Sequence, residues 1–195
     1  KRYSEIETDR SIIFLTVTLE ESGLLGSEYF AKYPPIDLSQ VVAGFNFDAM
    51  LPTGLTNDMV VVGYGASELE DLLELELQQT GRYVNPDPNP DKGYFYRSDH
   101  ISLAKRGVPM LYAGGGFDLV NGGREAGFAF AESYRLDAYH GVADEYDESW
   151  NLEGLNQSID VIFSIGNKLA NNSQWPNWYE GNEFKSIRDA SRAGK

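Results

Sequence analysis

The chain has 195 residues, 42% of them hydrophobic, which is enough for one domain, residues 1–195, with a real core. It carries 30 Asp and Glu against 16 Lys and Arg, a net charge of −14, which disfavours nucleic-acid phosphates and anionic membranes as partners. With no cysteine there are no disulfides or thiolate ligands, so any metal has to be held by carboxylates and imidazoles.

No apolar run is long enough to cross a bilayer, and no signal peptide is visible. The chain opens "KRYSEIETDRS", without an initiator Met, and reads as a processed or excised piece. "SIIFLTVT" (11–18) is a continuous β-branched and apolar run, expected to be a strand buried on both faces. "SGLLGSEYFAKY" then predicts a helix with Leu24, Leu25, Phe30 and Tyr33 on one face, stopped by Pro34 and Pro35. Residues 41–50 and 57–65 predict two further strands. Ser67 followed by Glu70 predicts a capping box for an acidic helix ending at Gly81, its glutamates forming a solvated face.

"NPDPNPDKG" (85–93) is expected to be loop. "SDHISLAKR" predicts a short helix with Ser98 or Asp99 as its N-cap, ending at Gly107 and leading into the strand "VPMLYAG". "AGGGFDLVNGG" (113–123) lacks a phosphate-loop pattern and is expected to form a flexible rim near the substrate. Leu152, Leu155, Ile159, Ile162, Phe163 and Leu169 recur at helical steps and predict a long late helix. The aromatics of "QWPNWYEGNEF" are expected to pack on the domain, or else to face a partner. Together these elements predict an α/β fold, three-layer α/β/α, with a mixed, mostly parallel sheet.

Ligands of such folds gather beyond the carboxyl ends of the strands. Glu20 and Glu21 follow the first predicted strand, Asp48 ends the second in "FNFDAM", and His140 lies in the late loop "AYHGVADEYD". Each alone is ordinary: paired glutamates at a strand end usually make a solvated turn. Together, two kinds of carboxylate and an imidazole are suitable zinc ligands. Neighbouring residues point in different directions, so one glutamate can bind metal while the other takes a proton from water.

"TLEESGLLGS", "FNFDAM", "RSDHISLAKRGVP" and "YHGVADEYD" resemble, in order, the motifs of the zinc exopeptidase family that contains bacterial leucyl aminopeptidases and glutamate carboxypeptidase. The likeness covers about residues 10–169. It implies a zinc-dependent exopeptidase, expected to be an aminopeptidase, with two zinc ions and a peptide substrate. It implies Glu20 as general base, Glu21, Asp48 and His140 as zinc ligands, and His140 on the other metal from Asp48. It further implies Tyr139 as a donor to the developing oxyanion and Asp99 or His100 in the substrate pocket; Asp144, four residues beyond His140, is spaced to orient either the loop or the imidazole. The family pattern also needs an earlier His and a bridging Asp, and neither is matched here. The expectation is therefore a C-terminal portion of the catalytic domain, completed by an N-terminal portion of the same protein or by a complementary chain. Family habit and acidity suggest a secreted or periplasmic location. Two alternatives stay open: a glutaminyl-cyclase-like mono-zinc transferase, and a non-catalytic relative.

Overall fold

Alternation along two central strands decides how the layers stack. The computed structural model describes residues 1–194, and in it strands Gly44–Asn46 (β1), Asp58–Val62 (β2), Tyr83–Pro86 (β3) and Met110–Gly115 (β4) form one sheet in the order β1-β4-β2-β3. β1 runs parallel to β4 and β2 parallel to β3, while β2 and β4 pair antiparallel. The sheet is thus mixed, with two of its three pairings parallel.

Successive strand residues point to opposite faces. Met59, Val61, Leu111 and Ala113 pack on one side against helices Leu69–Gln79 (α2) and Glu153–Ala170 (α5). On the opposite face, Met110 and Val62 meet Ile101, Ala104, Phe95, Trp178 and Phe184. Helices Leu25–Lys32 (α1) and His100–Ala104 (α3) pack against each other, and α3 also contacts β1 and β4. Helices on both faces make the three-layer α/β/α arrangement that the pattern predicts. Leu69, Leu73 and Leu77 are fully buried at four-residue steps, a stripe whose members each cost roughly 2–5 kcal/mol to truncate.

The largest departure is at 11–18. Among the described residues no strand pairs with this run, and Ile13, Phe14 and Leu15 are exposed, Phe14 by 77%. A β-branched run is extended by preference but becomes a strand only when a neighbour supplies the ladder. The predicted strand at 41–50 shortens to β1.

Smaller corrections follow from the tertiary contacts. α1 turns Ser27 and Ala31 inward, leaving Leu25 and Tyr33 exposed. The Ser67 hydroxyl makes no cap. Glu70 alone takes the backbone N–H groups of Gly65 (2.7 Å), Ala66 (2.7 Å) and Ser67 (3.2 Å). Glu70 and Glu76 are therefore buried rather than solvated, Glu76 pairing with Lys168. β3 takes Asn85 and Pro86 out of the expected loop; proline is tolerated there because β3 is an edge strand. Neither Ser98 nor Asp99 caps α3 with its side chain. In α5 the buried stripe is Val161, Ile162, Ile165 and Leu169, with Leu152 and Ile159 exposed.

The sequence reading omits two helices, Gly123–Asp137 (α4) and Lys185–Arg192 (α6). Glycine and alanine dilute the apolar period of α4, and α6 is dominated by polar residues. The tail packs on the fold: Trp178 is buried and donates its indole N–H to the Gly107 carbonyl at 3.2 Å. Among the described residues no helix is long and apolar enough to cross a membrane.

Candidate metal centre and catalytic cleft

The two glutamates sit on a tight turn that the following glycines allow. Gly23 N–H (3.0 Å) and Leu24 N–H (2.9 Å) both donate to the Glu20 carbonyl, and Gly26 N–H donates to the Thr18 carbonyl at 3.0 Å. A Cβ on Gly26 would lie 2.4 Å from that carbonyl oxygen, so only glycine lets α1 start so close to the incoming chain. Leu19, just before the pair, adopts φ 60°, a left-handed conformation that non-glycine residues adopt at a cost.

Glu21 Oε1 lies 2.8 Å from His140 Nε2. Glu20 lies in the field of Asp48, Asp99 and Arg97. Partial burial, followed by the charges of Glu21, Asp48 and Asp99, holds the Glu20 carboxyl above its ordinary range, with Arg97 opposing. A carboxylate made more basic in this way is better suited to accept a proton.

Asp48 lies two residues beyond the end of β1 and is held from two sides. Ser98 Oγ donates to Asp48 Oδ2 at 2.6 Å, and Asn46 Nδ2 donates in turn to Ser98 Oγ at 2.8 Å. The Tyr112 hydroxyl also bonds to Asp48; burial first, and then this carboxylate, push the phenol pKa up. The β1–β4 register pairs Asn46 with Tyr112, which puts both on the face opposite Leu111 and Ala113.

His140 arrives on the loop after α4 with φ 58°. Tyr139 stacks on its ring at 3.9 Å and 23°. Burial, then nearby carboxylates beginning with Glu21, raise the Tyr139 pKa. Asp144 accepts from the Tyr134 hydroxyl at 2.8 Å, so its bond ties the loop to α4 and does not reach the imidazole. α4 itself is drawn in close at Gly127, where a Cβ would lie 2.0 Å from the Phe117 carbonyl, and Phe128 stacks on Phe117 at 4.6 Å.

These parts face one cleft of about 1200 Å³. Glu20, Glu21, Asp48, Tyr139 and His140 all line it, and so does the predicted glycine rim at Gly114–Phe117. Asp99 is half-buried; His100 is buried beside Phe95 and Tyr112, outside the cleft wall, with both ring nitrogens unpartnered. Ser98, Tyr112 and Arg97 are site residues that the sequence reading misses. The signal for Tyr112 was present, since alternation in "MLYAG" opposes it to Leu111.

Strain collects at the same place. Among the described residues four non-glycine residues have positive φ, and three of them are Leu19, Ala49 (φ 47°) and His140, each at or next to a ligand-type residue. Backbone held in such conformations clusters at functional sites. The profile of Peptidase family M28 matches residues 2–165, well over half of the chain. The chain belongs to peptidase family M28. M28 is a family of zinc-dependent metallopeptidases, so this chain belongs to a family of peptidase hydrolases. No curated protein matches it.

The M28 assignment can be set against the donors present. Among the described residues no three His, Asp or Glu side chains converge on one point. Glu21 and His140 nevertheless fit one zinc: two donors on a tetrahedral ion stand roughly 3.3 Å apart when each bond is about 2.0 Å, close to the 2.8 Å seen here. Asp48, clamped by Ser98 and Tyr112, stands apart as a donor oriented from behind.

Proposed function

We propose that this M28 chain supplies the base, one metal-binding pair and a separate carboxylate ligand of a zinc aminopeptidase. The observation that carries the reading is the Glu21–His140 contact at 2.8 Å, with Glu20 lining the same cleft. Glu21 and His140 would hold one ion, and Asp48 a second. Bound zinc supplies acidity to water and polarises the scissile carbonyl.

The chain's own groups do the rest. Glu20 takes a proton from the attacking water at its carboxylate and returns it to the departing amine. The Tyr139 hydroxyl, which lines the cleft beside His140, donates to the carbonyl oxygen as negative charge develops on it. Ser98 and Tyr112 keep Asp48 from rotating away.

The remaining ligands come from a complementary polypeptide, either an N-terminal portion of the same protein or another chain. Two observations support this: no three ligands converge among the described residues, and the apolar run at 11–18 is exposed without a strand partner. The test is to assay the longest available form of the protein on free and N-blocked peptides, with and without chelator. Chelator-sensitive removal of free N-terminal residues is expected. Activity indifferent to chelator, or equal cleavage of blocked peptides, overturns the proposal.

A further inference from the structure

Asp58 opens β2 with a fully buried carboxylate that no step of the proposed reaction uses. Burying a carboxylate is costly unless donors fill its oxygens. Three do so here. Asn85 Nδ2 (2.7 Å) and the Phe117 N–H (3.3 Å) donate to Oδ2, and the Asp118 N–H (2.9 Å) donates to Oδ1. Arg82, also buried, approaches from the backbone side, donating to the Asp58 carbonyl at 2.9 Å and to Thr56. The glycine rim is wrapped on this carboxylate. A Cβ on Gly116 would lie 1.7 Å from Asp58 Oδ1, so the chain passes there only as glycine. Asp118 has further holds, from the Asn57 N–H and the Tyr83 hydroxyl, each at 2.8 Å. Among the described residues the Phe117 N–H has Asp58 alone.

Phe117 is in turn the seat of α4. Gly127, the one buried residue of that helix, lies against the Phe117 carbonyl, and Phe128 stacks on the Phe117 ring. Phe130 and Leu136 are exposed. A helix of 15 residues is marginal in water without packing. The direction of α4 is therefore set by this seat and by its entry, where the Gly123 N–H donates to the Leu119 carbonyl at 3.0 Å. The far end of α4 carries His140, and the Tyr134–Asp144 bond makes the loop move with the helix. At about 1.5 Å per residue, the stretch from Gly127 to Asp137 is a lever of about 15 Å, so a tilt of about 5° shifts its end by roughly 1.3 Å. Metal–ligand distances tolerate only about 0.2 Å.

We infer that Asp58 is a positioning residue of the metal centre: its carboxylate grips the rim at Phe117, the rim seats α4, and α4 holds His140 against Glu21. This rests on the reading of Glu21 and His140 as a zinc pair. An aspartate suits the task because both of its oxygens accept, so that one side chain ties the edge strand β3 and the rim to β2 at once. Asparagine keeps one acceptor and loses the other.

The test follows amide hydrogen exchange and zinc affinity in the longest available form of the protein. Asp58→Asn is expected to lower exchange protection of the α4 amides about tenfold, to leave the α5 amides more protected than those of α4, and to weaken zinc binding about tenfold. Phe128→Ala, which cuts the same path at an exposed position, should do likewise, and the double variant should add little to either. Glu70→Ala, which destabilises the fold away from this path, should lower protection of α5 and leave α4 protection and zinc affinity unchanged. Unchanged α4 protection in Asp58→Asn, loss of it only in step with α5, or undiminished zinc affinity with α4 loosened overturns the inference. Zinc loss of the same size in Glu70→Ala does so too. Selective loosening of α4 in a protein whose unmutated form binds no zinc would leave the hold of Asp58 on α4 standing and remove the metal reading instead.

Discussion

Glu21 and His140 come from segments more than a hundred residues apart, yet Oε1 and Nε2 meet at 2.8 Å. Glu20, the immediate neighbour of Glu21, lines the same cleft and lies in the field of Glu21, Asp48, Asp99 and Arg97. Of the two adjacent carboxylates, only Glu21 contacts the imidazole, and the proposed function gives them separate roles.

The first prediction tests that division. In the longest form of the protein, Glu20→Gln should keep its zinc and lose roughly 10²–10⁴ in kcat, the usual share of a general base. Glu21→Gln should lose zinc itself, measured by atomic absorption after dialysis. Equal zinc loss in both variants would contradict the roles assigned here.

Ser98 and Tyr112 act on Asp48 from behind. Removing either hydroxyl, as Ser98→Ala or Tyr112→Phe, should weaken zinc affinity by roughly 10–100-fold while the fold stays intact. Competition with a coloured chelator reads the affinity and circular dichroism the fold. Unchanged affinity in both variants would mean that Asp48 needs no support.

His100 gives a pH prediction. Its ring is buried without a hydrogen-bond partner, and burial lowers its pKa from 6.5 to about 4, with Asp48 opposing weakly. The folded pKa lies below the unfolded one, so the unfolded chain takes up the proton first. Stability is full above about pH 6.5 and falls as pH drops toward 4, by roughly 3 kcal/mol at most. His100→Leu should remove this part of the acid sensitivity and cost little at neutral pH, because no hydrogen bond is lost. Urea denaturation at several pH values checks it; identical pH profiles for both proteins would refute it.

Glu70 should matter more than any other glutamate of α2. It receives three backbone N–H groups at the start of the helix. Glu70→Ala is expected to cost about 2–3 kcal/mol in denaturant unfolding, with Glu70→Gln in between. The exposed neighbour Glu74 should tolerate alanine within about 0.5 kcal/mol. A cost for Glu70→Ala no larger than for Glu74→Ala would show that the cap is not needed.

What the sequence determined by itself was whatever depends on local order. The α/β class, the long helix α5, the strand at 110–115 and the candidates Glu20, Glu21, Asp48 and His140 all follow from short-range pattern and motif. The tertiary structure decided what depends on neighbours distant in the chain. Residues 11–18 have every local mark of a buried strand, but a strand needs a paired backbone, and none is supplied among the described residues. Ser67 reads as a helix cap until Glu70 takes the orphan N–H groups. Ser98 reads as a cap too, until the sheet brings Asp48 within 2.6 Å of it. The 2.8 Å between Glu21 and His140 depends on the left-handed turns at Leu19 and His140, which no residue type there announces. Packing forces are long-range in sequence and short-range in space, so a motif can name candidate ligands while only the fold can bring two of them together.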